Sequence, residues 1–159
     1  MSEVFFNYPG DSQASQTREL TFLPQWDNTV WAKLLSLTQV RRFRSGELVM
    51  RPGETDRTLY IIINGRLEVL IPRGDGGWRS TQIREVGTVI GEQSFLDGQP
   101  RSAALRALSD GEMVSISPEA FERFAAKEPE LARDFLRELA RTLSIKLRQA
   151  NMVIAKWLK

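Results

Sequence analysis

The residues best suited to chemistry lie in one stretch, IGEQSFLDGQPRSAALRA, at positions 90–107. Gly91 precedes a predicted helical turn, and the first amides of a helix have no partner within it. With the partial positive charge of the helix end, these amides form an anion site that a glycine lets a ligand approach closely. Arg101 adds a forked, permanent positive charge that matches two oxygens of one phosphate. We therefore predict a cradle for a phosphate group.

Glu92 indicates a second group on the same ligand. A carboxylate that turns away from the phosphate accepts hydrogen bonds from a sugar hydroxyl, and a phosphate beside a ribose hydroxyl describes a nucleotide. Two alternatives stay open for these residues. Arg101 could form a surface ion pair worth ~0–1 kcal/mol, and Glu92 could be an ordinary acidic residue at a helix N-terminus.

A family resemblance rests on this stretch. Gly91-Glu92 followed by Gly98-x-Pro100-Arg101-Ser102-Ala103 resembles the phosphate-binding cassette of cyclic nucleotide-binding domains, and we call residues 91–103 the cassette. The resemblance covers roughly residues 37–150 and continues upstream through Phe43, Gly46, Glu47, Gly53, Tyr60, Gly65 and Gly87. The glycine spacing together with the cassette makes the signal specific.

The resemblance implies a pocket for a 3′,5′-cyclic nucleotide, cAMP in the first place or cGMP. It assigns the cyclic phosphate to four residues: Arg101, Ser102, Gln93 and Ser94. It assigns the ribose to Gly91 and Glu92, and it places Ala103 elsewhere in the pocket. Gln93 departs from the aliphatic residue usual at its position, but its implied contact is through the backbone.

The sequence departs from the family pattern at the position that contacts the base. In catabolite activator-type members of the family, hydroxyl residues midway along a long C-terminal helix contact adenine, whereas the matching stretch here is near Lys146 and Leu147. Ser144 or Lys146 could substitute for those hydroxyls. The choice between cAMP and cGMP therefore stays open.

Composition excludes several classes of function. A length of 159 residues predicts one domain. The chain has no cysteine, which excludes disulfides and thiolate chemistry. It also has no histidine, which removes the usual general base and the commonest metal ligand. A net charge of +2 is too small to indicate binding to nucleic acid. No apolar run approaches the ~20 residues of a membrane span, and the N-terminus lacks the pattern of a secretory signal. We expect a cytoplasmic protein that is not an enzyme and has no metal, cofactor, nucleic-acid or membrane partner.

Short apolar segments separated by glycine turns predict a mostly β fold with helices, an antiparallel β-roll or jelly roll. Strands are expected at 59–63 and 66–71, joined as a hairpin by Asn64-Gly65, and at 78–86 and 101–108. Residues 1–25 are read as an N-terminal extension and residues 26–159 as the domain. A helix at 28–36 capped by Asp27 opens the domain.

A long helix is expected at 129–158. Apolar residues recur along it with alternating steps of four and three, a pattern typical of a helix–helix seam: Leu136, Ala140, Leu143, Leu147, Ala150, Ile154 and Trp157. We expect this seam to form a homodimer. A second apolar stripe through Leu131, Phe135, Leu139 and Ile145 is expected to pack on the roll. The basic residues of the helix are interpreted as a solvated face: Arg133, Arg137, Arg141, Lys146, Arg148, Lys156 and Lys159.

These features favour a ligand-gated switch in which binding moves the C-terminal helices and signals to a protein partner. Catabolite activator-type regulators carry a DNA-binding winged helix-turn-helix after the long helix, and the sequence here ends at Lys159 with no room for one. We therefore expect either a piece of a longer protein or a stand-alone sensor that acts through protein partners. A ligand-free interaction module and a receptor for a cyclic dinucleotide remain alternatives. The dinucleotide would need a second basic cluster, for which Arg84 or Arg106 is available.

Overall fold

The computed structural model describes residues 20–159. Residues 1–19, most of the predicted N-terminal extension, lie outside the described residues. The helices and strands follow in the order α1 (Asn28–Leu35), β1 (Gln39–Phe43), β2 (Leu48–Met50), β3 (Leu59–Asn64), β4 (Leu67–Pro72), β5 (Trp78–Arg84), β6 (Val89–Ile90), α2 (Glu92–Asp97), β7 (Ala104–Ala107), β8 (Gly111–Ile116), α3 (Pro118–Lys127) and α4 (Pro129–Trp157).

The strands form two four-stranded antiparallel sheets, in the orders β1-β8-β3-β6 and β2-β7-β4-β5. All strands that are neighbours in sequence lie in different sheets except β4 and β5, which pair as a hairpin within the second sheet, and this arrangement gives the predicted roll. The first four side chains of β3 are all buried. The core between the sheets continues under the helices, where Phe22, Trp26, Phe121, Phe124 and Phe135 form a chain of ring contacts. Burial of apolar surface therefore holds the helices against the roll.

The predicted hairpin at Asn64-Gly65 is wrong. β3 pairs with β6 and β8, whereas β4 pairs with β5 and β7, so the turn carries the chain from one sheet to the other. Gly65 has φ +88°, and a Cβ there would lie 2.6 Å from the Asp110 carbonyl oxygen. The glycine therefore serves a sheet crossing with close backbone contact. An Asn-Gly pair is a local signal, and strands arriving from elsewhere in the sequence already occupy both edges of β3.

Two strand boundaries also differ from the prediction. β5 ends at Arg84, and β7 begins at Ala104, three residues later than expected. The backbone of Arg101 is not in a strand because it bonds to the preceding loop: its N–H donates to the Glu54 carbonyl and its carbonyl accepts from Gly53, both at 2.8 Å. The loop after β2 therefore holds the backbone from which the Arg101 side chain projects.

The helix caps follow the sequence. Asp27 accepts from the first turn of α1, as the sequence predicts, and Ser117 accepts in the same way from the first turn of α3. α4 runs for 29 residues from Pro129. The predicted stripe for the roll is confirmed in its first half, where Phe135 and Leu139 are fully buried and Leu131 packs against the core.

Candidate functional site

Arg101 is a buried arginine whose charge is held from several sides. The residue is 4% exposed. Nη1 donates to the Gly91 carbonyl at 2.9 Å, and Nη2 donates to the Thr58 carbonyl at 2.5 Å and to Asp56 Oδ2 at 3.1 Å. Its Nε is also buried and has no hydrogen-bond partner among the described residues. The backbone thus fixes the guanidinium, and one strong donor remains for a ligand.

Gly91 brings the start of α2 against this guanidinium. Its φ is +77°, in the left-handed region that favours glycine, and a Cβ there would lie 2.6 Å from Arg101 Nη1 and 2.9 Å from the Thr58 carbonyl oxygen. Gly91 makes no side-chain cap, so the first amides of α2, those of Glu92, Gln93 and Ser94, face outward without intrahelical partners. The helix start and Arg101 together form the anion-ready geometry that the sequence predicts.

Asp56 connects Arg101 to the surface of the roll. Its carboxylate accepts hydrogen bonds from Arg101, Tyr60 and Thr58. Burial pushes the pKa of Asp56 upward, but the hydrogen bonds from Thr58 and Arg101 outweigh that effect and hold the pKa below its ordinary value. Asp56 is therefore ionised at neutral pH and orients Arg101.

Lys146 corrects the prediction of a solvated basic face on the long helix. Its side chain is only 15% exposed, and Nζ lies 2.6 Å from Glu92 Oε1. Nζ also donates to the Val89 carbonyl at 3.0 Å. Burial lowers the pKa of Lys146, which the Glu92 carboxylate opposes and the positive charge of Arg84 reinforces. Glu92, the carboxylate predicted to bind ribose, thus lines the cavity and is already paired with Lys146 of α4.

These residues line one cavity of about 410 Å³. The cassette contributes Gly91, Glu92, Gln93, Ser94, Arg101, Ser102 and Ala103, and apolar walls come from Met50, Val69, Ile71, Ile90 and Leu105. β5 contributes Thr81, Gln82 and Arg84, and α4 contributes Lys146, Ala150, Val153 and Ile154. A cavity of this size, with apolar walls and a few polar groups, is typical of a small-molecule site.

All seven site residues predicted from the sequence therefore lie on this cavity. Ser102 Oγ donates to Gln93 Oε1 at 2.9 Å, so the Gln93 side chain folds back over the cassette. Arg84 and Lys146 are the charged lining residues that the predicted site left out. The family resemblance names Lys146 as a possible contact to the base, but helical phase alone does not predict its burial, which depends on where α4 crosses the cavity.

The second half of α4 lies along β5. Gln82 Nε2 donates to Gln149 Oε1 at 3.5 Å, and the Arg79 guanidinium stacks 4.0 Å from the centre of the Trp157 ring. Of the predicted dimer seam, Ala150 and Ile154 line the cavity, while Leu136 and Leu147 are 42% and 62% exposed. The C-terminal part of the seam therefore contacts the same chain, whereas Leu136 and Leu147, which precede it, are exposed.

Neither a metal-binding cluster nor a membrane-spanning helix occurs within residues 20–159. No group of three or more carboxylates in this part of the chain is placed to hold a metal ion. None of its helices combines the length and the apolar character that a membrane crossing requires.

Comparison with known proteins agrees with this geometry. The sequence model of the cyclic nucleotide-binding domain matches residues 40–128. A CRP-like cAMP-activated global transcriptional regulator of Mycobacterium tuberculosis is 31% identical over 112 residues, 70% of this chain and 50% of that protein. The cAMP-activated global transcriptional regulator CRP of Salmonella typhimurium is 32% identical over 124 residues, 77% of this chain and 58% of that protein.

Among solved structures, a cyclic nucleotide-binding domain from Methylobacillus flagellatus superposes with a TM-score of 0.76 at 22% identity, covering 89% of this chain and 84% of that one. This likeness confirms the predicted β-roll with its helices. The chain spans about half the length of the curated relatives that it matches.

Proposed function

Because this chain belongs to the cyclic nucleotide-binding domain family, we propose that it is a cyclic nucleotide receptor, not an enzyme, that signals through α4. The observation that carries the proposal is Arg101, buried against backbone carbonyls with an unpartnered Nε beside the uncapped start of α2. A cyclic phosphodiester supplies the acceptor oxygens that these donors lack.

The rest of the ligand follows the lining of the cavity. Glu92 accepts from the ribose hydroxyl, Ser102 adds a hydroxyl beside the phosphate, and the base extends toward α4. Two relatives are named as cAMP-activated regulators, which makes cAMP the first ligand to test. A nucleotide entering the cavity meets Lys146 at Glu92, so binding changes the contact that ties α4 to the cassette. That contact couples occupancy to the position of the helix.

Thermal unfolding of the full chain with and without nucleotide tests this function. A ligand at a hundredfold its Kd stabilises the folded state by ~2.7 kcal/mol. We expect a rise in melting temperature with a 3′,5′-cyclic nucleotide and no comparable rise with 5′-AMP, which lacks the cyclic diester. Unchanged melting across cyclic mono- and dinucleotides would support the ligand-free interaction module instead.

The exposed part of the α4 seam supports a homodimer. Leu147, at 62% exposed, is a large apolar side chain that a second copy of the helix would cover. Sedimentation should show Leu147→Glu shifting the protein toward the monomer, whereas Ser144→Glu, an exposed position outside the seam, should leave the distribution unchanged. Equal distributions for both variants and the wild type would remove Leu147 from an interface.

A further inference from the structure

We propose that Arg84 and Lys146 form a second anion-binding point in the cavity, so that the preferred ligand carries two phosphates, as a cyclic dinucleotide does. This inference rests on the proposed function and specifies which cyclic nucleotide the cavity takes. The second point lies in the part of the cavity that β5 and α4 contribute, whereas the first phosphate binds at Arg101.

Arg84 is a buried cation without an ion-pair partner in the described part of the chain. The residue is 6% exposed and lines the cavity at the end of β5. Its Nη2 donates to the side-chain oxygen of Gln82, which is neutral and leaves the charge uncompensated. Glu92 acts on Arg84 through space but is bonded to Lys146. Because buried charges are normally paired, the missing counter-ion of Arg84 points to an anion on the ligand.

Lys146 brings a second cation to the same place. Its Nζ is 2.6 Å from Glu92 Oε1, so one carboxylate stands between two positive groups. Burial lowers the pKa of both Arg84 and Lys146, and the charge of Arg84 lowers that of Lys146 further. If a ribose hydroxyl also donates a hydrogen bond to Glu92, less of the carboxylate charge remains for the two cations.

The two parts of the cavity differ in local charge. At the cassette, Asp56 already compensates Arg101. At β5 and α4, two cations meet one carboxylate, and a single phosphate bound at Arg101 leaves that excess of positive charge in place. A second phosphate there neutralises it and forms charge-assisted hydrogen bonds with the guanidinium.

A guanine edge is the rival occupant of this point, since an arginine also pairs with O6 and N7 of guanine. Those acceptors are neutral and would leave the charge of Arg84 uncompensated, so the charge pattern favours phosphate. The two possibilities separate experimentally, because one follows the number of phosphates and the other follows the base.

The test is calorimetric titration of the full chain with four probes: cAMP, cGMP, cyclic di-AMP and cyclic di-GMP. The variant is Arg84→Gln, and the matched control is Arg106→Gln. Arg106 is also an arginine at a strand position, but it pairs with Glu68 and does not line the cavity. Thermal unfolding checks that each variant folds. Should Arg84→Gln fail to fold, Lys146→Gln replaces it as the variant that tests the second anion-binding point.

We expect each dinucleotide to bind the wild type at least about tenfold more tightly than the mononucleotide with the same base. Arg84→Gln should weaken both dinucleotides by about 10- to 100-fold and both mononucleotides by less than about threefold. Arg106→Gln should change neither class.

Mononucleotides that bind as tightly as dinucleotides would overturn the second anion point, as would a loss in Arg84→Gln confined to the guanine ligands. Dinucleotide binding that depends on Arg101 but is unchanged in Arg84→Gln would leave the proposed function standing and remove only this inference. Absence of binding by all four probes would instead remove the proposed function.

Discussion

The two cation-bearing parts of the cavity are built in opposite ways. Arg101 is fixed by the carbonyls of Gly91 and Thr58 and by Asp56. Lys146 reaches the cavity from α4, whose residues from 150 onward are exposed. Geometry at the cassette is thus determined by backbone, whereas geometry at α4 depends on where a largely exposed helix lies. The first arrangement suits tight gripping of a constant group, and the second suits a part that moves when the cavity fills.

Removing the fixed cation should have the largest effect. Arg101→Gln deletes the charge that faces the phosphate, and truncating one partner of a buried charge pair costs ~2–5 kcal/mol, roughly 30- to 5000-fold in affinity. Titration calorimetry against the tightest cyclic nucleotide measures this loss. Arg106→Gln is the control, and equal affinity in Arg101→Gln would show that the fixed end does not carry the binding.

Glu92→Gln tests the residue through which the cassette contacts α4. The substitution keeps the size of the side chain but removes the charge that Lys146 contacts at 2.6 Å and the acceptor proposed for ribose. Because charge-assisted hydrogen bonds contribute ~1.5–3 kcal/mol each, affinity should fall about 10- to 100-fold. A competition assay with 2′-deoxy cyclic nucleotide sharpens the result: the variant should discriminate against the deoxy ligand less than the wild type does. Undiminished discrimination would remove Glu92 from the ribose.

Lys146→Met tests the contribution of α4 to the cavity through the pH dependence of stability. The pKa of Lys146 is lowered from 10.5 mainly by burial. Between that lowered pKa and the unfolded value, the unfolded state binds more protons, so stability rises with pH. Denaturant unfolding of the wild type from pH 7 to 10.5 should therefore show a stabilising slope, by less than ~1.4 kcal/mol per pH unit, that Lys146→Met lacks. Parallel slopes would contradict the burial of this amine.

Asp56→Asn should have the smallest effect, because the Asp56 side chain is 46% exposed and its pair with Arg101 is partly screened. We expect a loss of ~0–1 kcal/mol at neutral pH. The pKa of Asp56 lies below 3.8 in the folded state, so its contribution is present above that pH and disappears as the pH falls through the lowered value. Acid unfolding curves of wild type and variant should converge at low pH, and curves that stay parallel would contradict this pairing.

The contrast between the cassette and α4 also explains which features the sequence could predict. The family resemblance inferred from the cassette is confirmed by the family match over residues 40–128. Gly91 and Arg101 were readable because a left-handed glycine, a helix start and a nearby arginine are local features. Ser102 and Gln93 lie where the pattern places them, although the bond between their side chains is visible only in three dimensions.

Features that depend on packing between distant segments were not readable. The apolar alternation of α4 does not show which turn crosses the cavity. It predicts Lys146 on a solvated face, although the family resemblance also makes Lys146 a possible contact to the base. Arg84 and Arg106 look alike in sequence, but strand register places Glu68 opposite Arg106 and gives it a partner. The Asn64-Gly65 turn failed for the same reason, since the partners of β3 come from elsewhere in the chain.

A crystal structure of the full chain with its tightest-binding cyclic nucleotide tests the central claim most directly. The account predicts a phosphate oxygen within hydrogen-bonding distance of Arg101 Nε and of the amides at the start of α2, with the ribose on Glu92. A ligand bound elsewhere, or an Arg101 Nε that stays unpartnered with the nucleotide present, would contradict it.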